Sequence, residues 1–200
     1  MPDNPDPPRL SYDQIRPLLR SGDVLLCSGT AFFSRLIQRK TGSRYSHVGL
    51  FWKNDEAERV MVYESVESKG VINNPFSRYL SNYKGEGQPY PGRMFIARHD
   101  GFACLTPADR MAFLQFAIDV QGHEYDSHEI TRIAVAIASP ELAWDPAFPE
   151  VTVGKRYICS VYAGDALQTV RLGVPHDPRG FLAPADFAKA PDVSVLWEIV

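Results

Sequence analysis

The chain has little that would bind it to a specialised class. It carries three cysteines, Cys27, Cys104 and Cys159, an odd set with no close pair, so neither a disulfide framework nor a zinc knuckle is indicated and reduced thiols are expected. No apolar run approaches the roughly 20 residues that cross a bilayer, and the best candidate, Ile130 to Ser139, is far shorter. Charge of one sign is equally scarce. With 21 Lys and Arg against 24 Asp and Glu, the formal net charge of -3 gives the whole chain no general attraction for phosphate backbones or anionic lipid, and nucleic acid is not an expected partner. Repeats, low-complexity blocks, a glycine-rich phosphate loop, a serine elbow and a dinucleotide fingerprint are all missing. The opening MPDNPDPPRL lacks the cationic start and apolar run of a secretory signal, so the expectation is a cytoplasmic protein.

What is present is an ordinary globular composition, 44% hydrophobic and 22% charged over 200 residues, which suits one domain better than two. Residues 1–9 hold four prolines and read as a flexible lead, leaving 10–200 as the single domain. Asp23 to Cys27 has the length and content of a strand, and Ala31 to Lys40 has helical spacing through Phe33, Leu36 and Ile37. Ser46 to Trp52 and Arg59 to Ser65 are β-prone and flank the polar tract Lys53 to Glu58, a hairpin pattern. Arg93 to His99 predicts another strand. Thr106, Pro107, Asp109 and Gly122 mark the start and stop of a helix whose apolar stripe includes Met111, Leu114 and Ile118. Ile130 to Ser139 reads as a buried helix, Pro140 to Pro149 as a loop, Ser160 to Val170 as a helix in line with Cys159, and Val193 to Val200 as a strand.

Chemistry concentrates on Cys159. A thiol becomes a useful nucleophile when its thiolate is stabilised, and a helix N-terminus supplies a positive dipole end and unpaired N–H groups that also face a developing oxyanion. Tyr157 and Ile158 read as the tail of an extended segment before such a helix. Cys27, at the end of an apolar strand, and Cys104, in a short connection, suit the role of buried core cysteines better.

A cysteine hydrolase needs an imidazole and a polar group to orient it. Closing the hairpin across Lys53 to Glu58 sets Trp52 opposite Arg59, and counting back five on each strand sets His47 opposite Glu64 on one sheet face. A one-residue slip separates them. Taken alone, the pair reads more simply as a half-exposed histidine beside a solvated carboxylate. His123 and His128 sit in an acidic tract, but their spacing of five is not the four that aligns two zinc ligands on a helix, so a solvated loop is expected there. His99 and His176 lie in no motif and are expected at the surface or in loops.

With these residues in place, the chain resembles the circularly permuted papain-like amidases of the YiiX type, relatives of the NlpC-type cysteine peptidases. The likeness is carried by Gly22-Asp23-Val24, Tyr45-Ser46-His47-Val48-Gly49, Val62-Tyr63-Glu64, Tyr125-Asp126, Tyr157-Ile158-Cys159-Ser160 and Pro184-Ala185-Asp186, together spanning about Ser21 to Phe187. The order His, Glu, Cys is the reverse of ordinary papain-like enzymes, as permutation requires. Val161 stands where the family commonly has Glu. The resemblance implies an α+β, circularly permuted papain-like fold, with an antiparallel sheet or half-barrel packed against a nucleophile-bearing helix. It also implies Cys159 as nucleophile, His47 as general base and then acid, Glu64 as the orienting residue, no cofactor or metal, and hydrolysis of amides in cell-wall-type peptides or other small amides. Tyr45 is the candidate second oxyanion donor and substrate contact. Three alternatives stay open: a thiol acyltransferase or lipase acting on lipid acyl groups, a non-catalytic binding module of the same fold, and a metallohydrolase using His123 and His128.

Overall fold

The computed structural model describes residues 6–127, 156–176 and 181–200. It is a mixed α+β structure built on one seven-stranded sheet. The strands are β1 (Arg9–Leu10), β2 (Val24–Ser28), β3 (His47–Asn54), β4 (Arg59–Val66), β5 (Gly70–Pro75), β6 (Arg93–His99) and β9 (Val193–Ile199). Their order is β1-β9-β6-β2-β3-β4-β5, antiparallel throughout except for the parallel pairing of β1 with β9. A separate parallel pair joins β7 (Glu124–Tyr125) to β8 (Arg156–Tyr157). The helices are α1 (Tyr12–Ile15), α2 (Phe32–Thr41), α3 (Ser77–Ser81), α4 (Pro107–Asp119), α5 (Cys159–Gln168) and α6 (Pro184–Lys189).

Sheet position explains the sequence pattern of β2. Central strands are covered on both faces and read as continuous apolar runs. Val24 and Leu26 enter one core with Val48, Leu50, Phe95 and the inward side of α5, whereas Leu25 and Cys27 enter a second with Phe51, Val62, Phe76 and Tyr79. The buried carboxylate of Asp23, 1% exposed, would be costly without partners. It takes a bidentate pair from Arg98 at 2.6 and 2.8 Å and the Arg20 N–H at 2.8 Å, so this residue serves the fold.

Several expectations are met and others corrected. The α4 capping box forms with Thr106 as cap and Pro107 in the first turn. Its inward residues, however, are Phe113 and Ala117, while Met111 and Ile118 are exposed. Apolar residues run around this whole helix, so spacing alone did not choose a face; the Phe113 ring, against Trp52 and Phe102, does. Cys104 is exposed rather than core, because it ends a 3-10 turn at the surface. His99 is buried, not at the surface, and its Nδ1 accepts the Gly101 N–H at 3.1 Å; burial lowers its pKa. His176 is exposed. Chain order starts before Leu10, since β1 begins at Arg9 and Asp6 pairs with Arg44 and Arg93. The helix expected over 130–139 and the loop expected over 140–149 lie outside the described residues.

The hairpin register differs by two. Asn54 pairs with Arg59 and Lys53 with Val60, so the turn is only Asp55 to Glu58 and β3 runs two residues further toward it than the sequence suggested. Continuing that register sets Gly49, not His47, opposite Glu64. A shift of two preserves the side-chain face, so His47 and Glu64 become diagonal neighbours on one face, a separation long side chains still bridge.

Gly70 anchors the edge strand to the segment that leads toward Cys159. It adopts φ +70°, and a Cβ there would stand 2.0 Å from the carbonyl oxygen of His123, which accepts the Val71 N–H. Gly87 has a similar φ of +68° with open space around it. We expect Gly87→Ala to cost only the left-handed backbone, ~1 kcal/mol, and Gly70→Ala to cost ~3 kcal/mol or more. Urea denaturation of the two variants reads the difference; equal losses would refute the close approach.

Candidate active site

His47 and Cys159 owe their positions to strand and helix starts. The Ser46 N–H reaches the Cys27 carbonyl at 2.8 Å, and Ser46 Oγ accepts the Gly29 N–H at 3.0 Å, locking the end of β2 to the start of β3 and setting Cys27 opposite His47. From β4, Ser65 Oγ donates to the Tyr157 carbonyl at 2.6 Å, fixing the two residues before the thiol. Ser160 Oγ donates to the Leu182 carbonyl at 2.7 Å, which holds the first turn of α5. Cys159 opens that helix and His47 opens β3, so thiol and ring meet at the end of the sheet.

The contacts form a chain. His47 Nε2 donates to Glu64 Oε2 at 2.7 Å, and Cys159 lies close enough to the same ring to bear on its protonation. Glu64 Oε2 also accepts the hydroxyl of Tyr79 at 2.5 Å. The Glu64 side chain is 2% exposed, Cys159 4% and the His47 side chain 20%, so both ends of the chain are buried and the ring between them keeps the most contact with solvent. Burial by itself favours the neutral imidazole. The negative charge available at Cys159, then Glu64, outweighs it and holds His47 protonated, with a pKa raised to about 10.

Three of the four site residues expected from sequence are therefore brought together. Tyr45 has another role: it is 4% exposed and packs edge-on against Phe95, ring centres 5.3 Å apart, inside the core. Its placement lends no support to a substrate contact. Sequence reasoning missed Tyr79. It lies on a helix of only five residues with no recognisable motif, and the strand before it, β5, was not anticipated either. Its ring belongs to an aromatic cluster with Phe76, Tyr83 and Tyr90. Burial and the Glu64 carboxylate push its phenol well above the ordinary tyrosine value, so it remains a proton donor. Burial, with Glu64 and Cys159 adding to it, likewise keeps the Cys27 thiol protonated. Tyr125 is a second neighbour that the sequence did not single out: burial raises its phenol pKa, and charge at Cys159 adds to the rise.

A cavity of about 140 Å³ lies along β4 and β5, with Glu64 and Tyr79 in its wall and Lys69, Arg78 and Lys84 around it. Among the described residues, none of these three cations forms an ion pair.

No family model matches the chain, and no curated protein does. Among solved structures, the crystal structure described as metalloprotein yiiX from Escherichia coli O157:H7, DUF1105, superposes with a TM-score of 0.60 over 88% of this chain and 96% of that one, at 17% identity. The chain has a YiiX-like fold. At that identity the likeness extends to the fold alone. Metalloprotein describes that neighbour; among the described residues of this chain no three His, Cys, Asp or Glu side chains are grouped to hold an ion. Within the YiiX-like frame, Cys159, His47 and Glu64 form a line, with the ring nitrogen already engaged by carboxylate. His123 stacks on Tyr157 at 5.7 Å with its Nδ1 lacking a hydrogen-bond partner, and His128 lies outside the described residues.

The ring beside a thiol and a buried carboxyl group yields a direct test. In an NMR titration the wild-type His47 ring stays protonated through neutral pH and loses its proton near pH 10. Cys159→Ala and Glu64→Gln each bring that midpoint down, since each removes a group that favours imidazolium. An ordinary histidine midpoint in wild type, near ~6.5, contradicts the arrangement.

Proposed function

We propose that this protein is a cysteine hydrolase of amide bonds, with Cys159 as nucleophile, His47 as proton carrier and Glu64 as the group that orients it. The observation that carries this reading is the line from thiol to imidazole to buried carboxylate, a specific order of groups with complementary roles. Support also comes from the helix start. Ile158 caps α5 and provides no side-chain acceptor, so first-turn N–H groups are left to meet an oxyanion at the point where one would form. On this reading the fold is a circularly permuted papain-like one, related to the NlpC-type peptidases, in agreement with the His, Glu, Cys order.

The reaction runs through an acyl-enzyme. The Cys159 thiolate attacks the amide carbon, and the carbonyl oxygen takes the negative charge beside the N–H groups of the α5 start. His47 gives its proton to the departing nitrogen as the C–N bond breaks, leaving a thioester. Water then attacks that carbon while His47 accepts its proton, and the S–C bond breaks to return thiolate and imidazolium. Glu64 keeps its charge throughout and holds the ring. Small peptides of the cell-wall type, or other small amides, are the substrates this reading takes; the cavity behind Glu64 is lined by neither His47 nor Cys159 and is separate from the reacting groups.

A second reading, a thiol acyltransferase or lipase acting on lipid acyl groups, is favoured by the exposed Phe32 and Phe33 on α2, the helix that leads into β3. Transfer of a labelled acyl group to a lipid alcohol in preference to water selects it.

Exposed Cys104 labels readily, so the thiol test uses a Cys104→Ser background. Iodoacetamide modifies Cys159 rapidly there, and His47→Ala slows that labelling by ~100-fold or more. Across a panel of small peptides and amides, Cys159→Ser loses ~1,000-fold or more of the turnover of the active substrate. An inert Cys159 in folded protein points instead to a binding module, and equal turnover by both proteins removes Cys159 as nucleophile.

A further inference from the structure

The helix α2 is turned the wrong way round for a helix that serves only the fold. A surface helix normally buries its apolar stripe and exposes its polar one. In α2, Gln38 faces the body, its Nε2 donating to the Gly29 carbonyl at 3.0 Å and the Ser28 hydroxyl at 3.3 Å. Ser34, four residues earlier on the same side, lies so close to Gly29 that a Cβ there would meet its Oγ at 2.4 Å. Phe32 is left 77% exposed and Phe33 47% exposed, their rings in edge contact with each other. Leu36 and Ile37 are only partly buried, and none of the four joins either hydrophobic core. The most exposed large apolar side chain among the described residues is therefore on this helix.

Charge is segregated in the same place. The chain carries a net charge of -3, yet between Asp23 and Asp55 it has Arg35, Arg39, Lys40, Arg44 and Lys53 and no acidic residue at all. Arg35 and Arg39 are exposed on α2, flanking Phe32 on the outward side by helical spacing. Two protruding aromatic rings with Arg35 and Arg39 beside them, on a helix that carries no acidic side chain, match the interface of an anionic bilayer: rings enter the headgroup boundary while guanidinium groups remain among the phosphates.

We infer that α2 docks this protein on an anionic lipid surface. Because α2 connects the end of β2 to the start of β3, where Cys27 faces His47, docking turns the His47 end of the sheet toward the lipid. The inference does not depend on the chemistry of Cys159.

Flotation of the full chain with vesicles tests it without reading activity. Wild type binds vesicles of equal parts phosphatidylglycerol and phosphatidylcholine, binds pure phosphatidylcholine at least ~10-fold more weakly, and is released by raised salt. The double variant Phe32→Ser, Phe33→Ser loses binding by ~10-fold or more, and Arg35→Gln, Arg39→Gln by ~25-fold, roughly fivefold for each cation removed. All these side chains are exposed, so thermal melting stays close to wild type; if the Phe variant unfolds, the Arg variant carries the test. Failure of wild type to bind, or undiminished binding by folded variants, overturns the inference. So does a wild-type dimer without lipid affinity that Phe32→Ser, Phe33→Ser makes monomeric, which assigns the face to a second copy of this chain.

Discussion

The contact on which the site depends is the one between His47 and Glu64. A carboxylate that is 2% exposed is expensive: taking such a charge out of water costs several kcal/mol unless strong partners replace the water. Here both partners converge on a single oxygen, with the imidazole at 2.7 Å and the Tyr79 hydroxyl at 2.5 Å. A protonated ring and a phenol that holds its proton both donate to that oxygen, and the contact fixes the orientation of the ring. Removing either would leave a buried anion underpaired, which explains how a side chain on a short helix with no motif comes to belong to the site.

Strand periodicity made this pair legible and also hid its true spacing. The sequence suggested direct opposition, from a turn assumed to include every polar residue between Lys53 and Glu58. Lys53 and Asn54 instead continue β3, because a solvent-facing residue near a strand end costs the ladder nothing. The face assignment survived since the shift was even; an odd one would have put His47 in the other core. Cys159 was legible for a different reason, the change from extended to helical pattern at Ile158. Tyr79, β5 and the exposed position of Cys104 were not, as each depends on contacts far apart in sequence. In α4 the periodicity was present but apolar all round, so only tertiary packing by Phe113 could choose its inward side.

Gly49 shows how the site constrains the hairpin. It stands opposite Glu64, and a Cβ placed on it would meet Val62 at 2.9 Å and the Glu64 Cβ at 3.5 Å. The His47 ring reaches Glu64 along the diagonal that passes this position. A larger residue would press on Val62 in the strand neighbour and crowd the carboxylate. The Val48-Gly49 pair that helped mark the family resemblance thus has a local reason in packing, separate from any role in chemistry.

Net charge proves a poor guide to the surroundings of the site. The chain as a whole is acidic, yet Lys69, Arg78 and Lys84 surround the cavity behind Glu64, and Arg35, Arg39 and Lys40 lie on the helix leading into β3. Within a Debye length of ~8 Å at physiological salt, a ligand meets these local groups before it feels the distant acids. The two cationic regions also differ in what accompanies them. Around the cavity are polar side chains and a wall formed by Tyr79 and Glu64, suited to a small charged group; on α2 are exposed aromatic rings, suited to an extended apolar boundary.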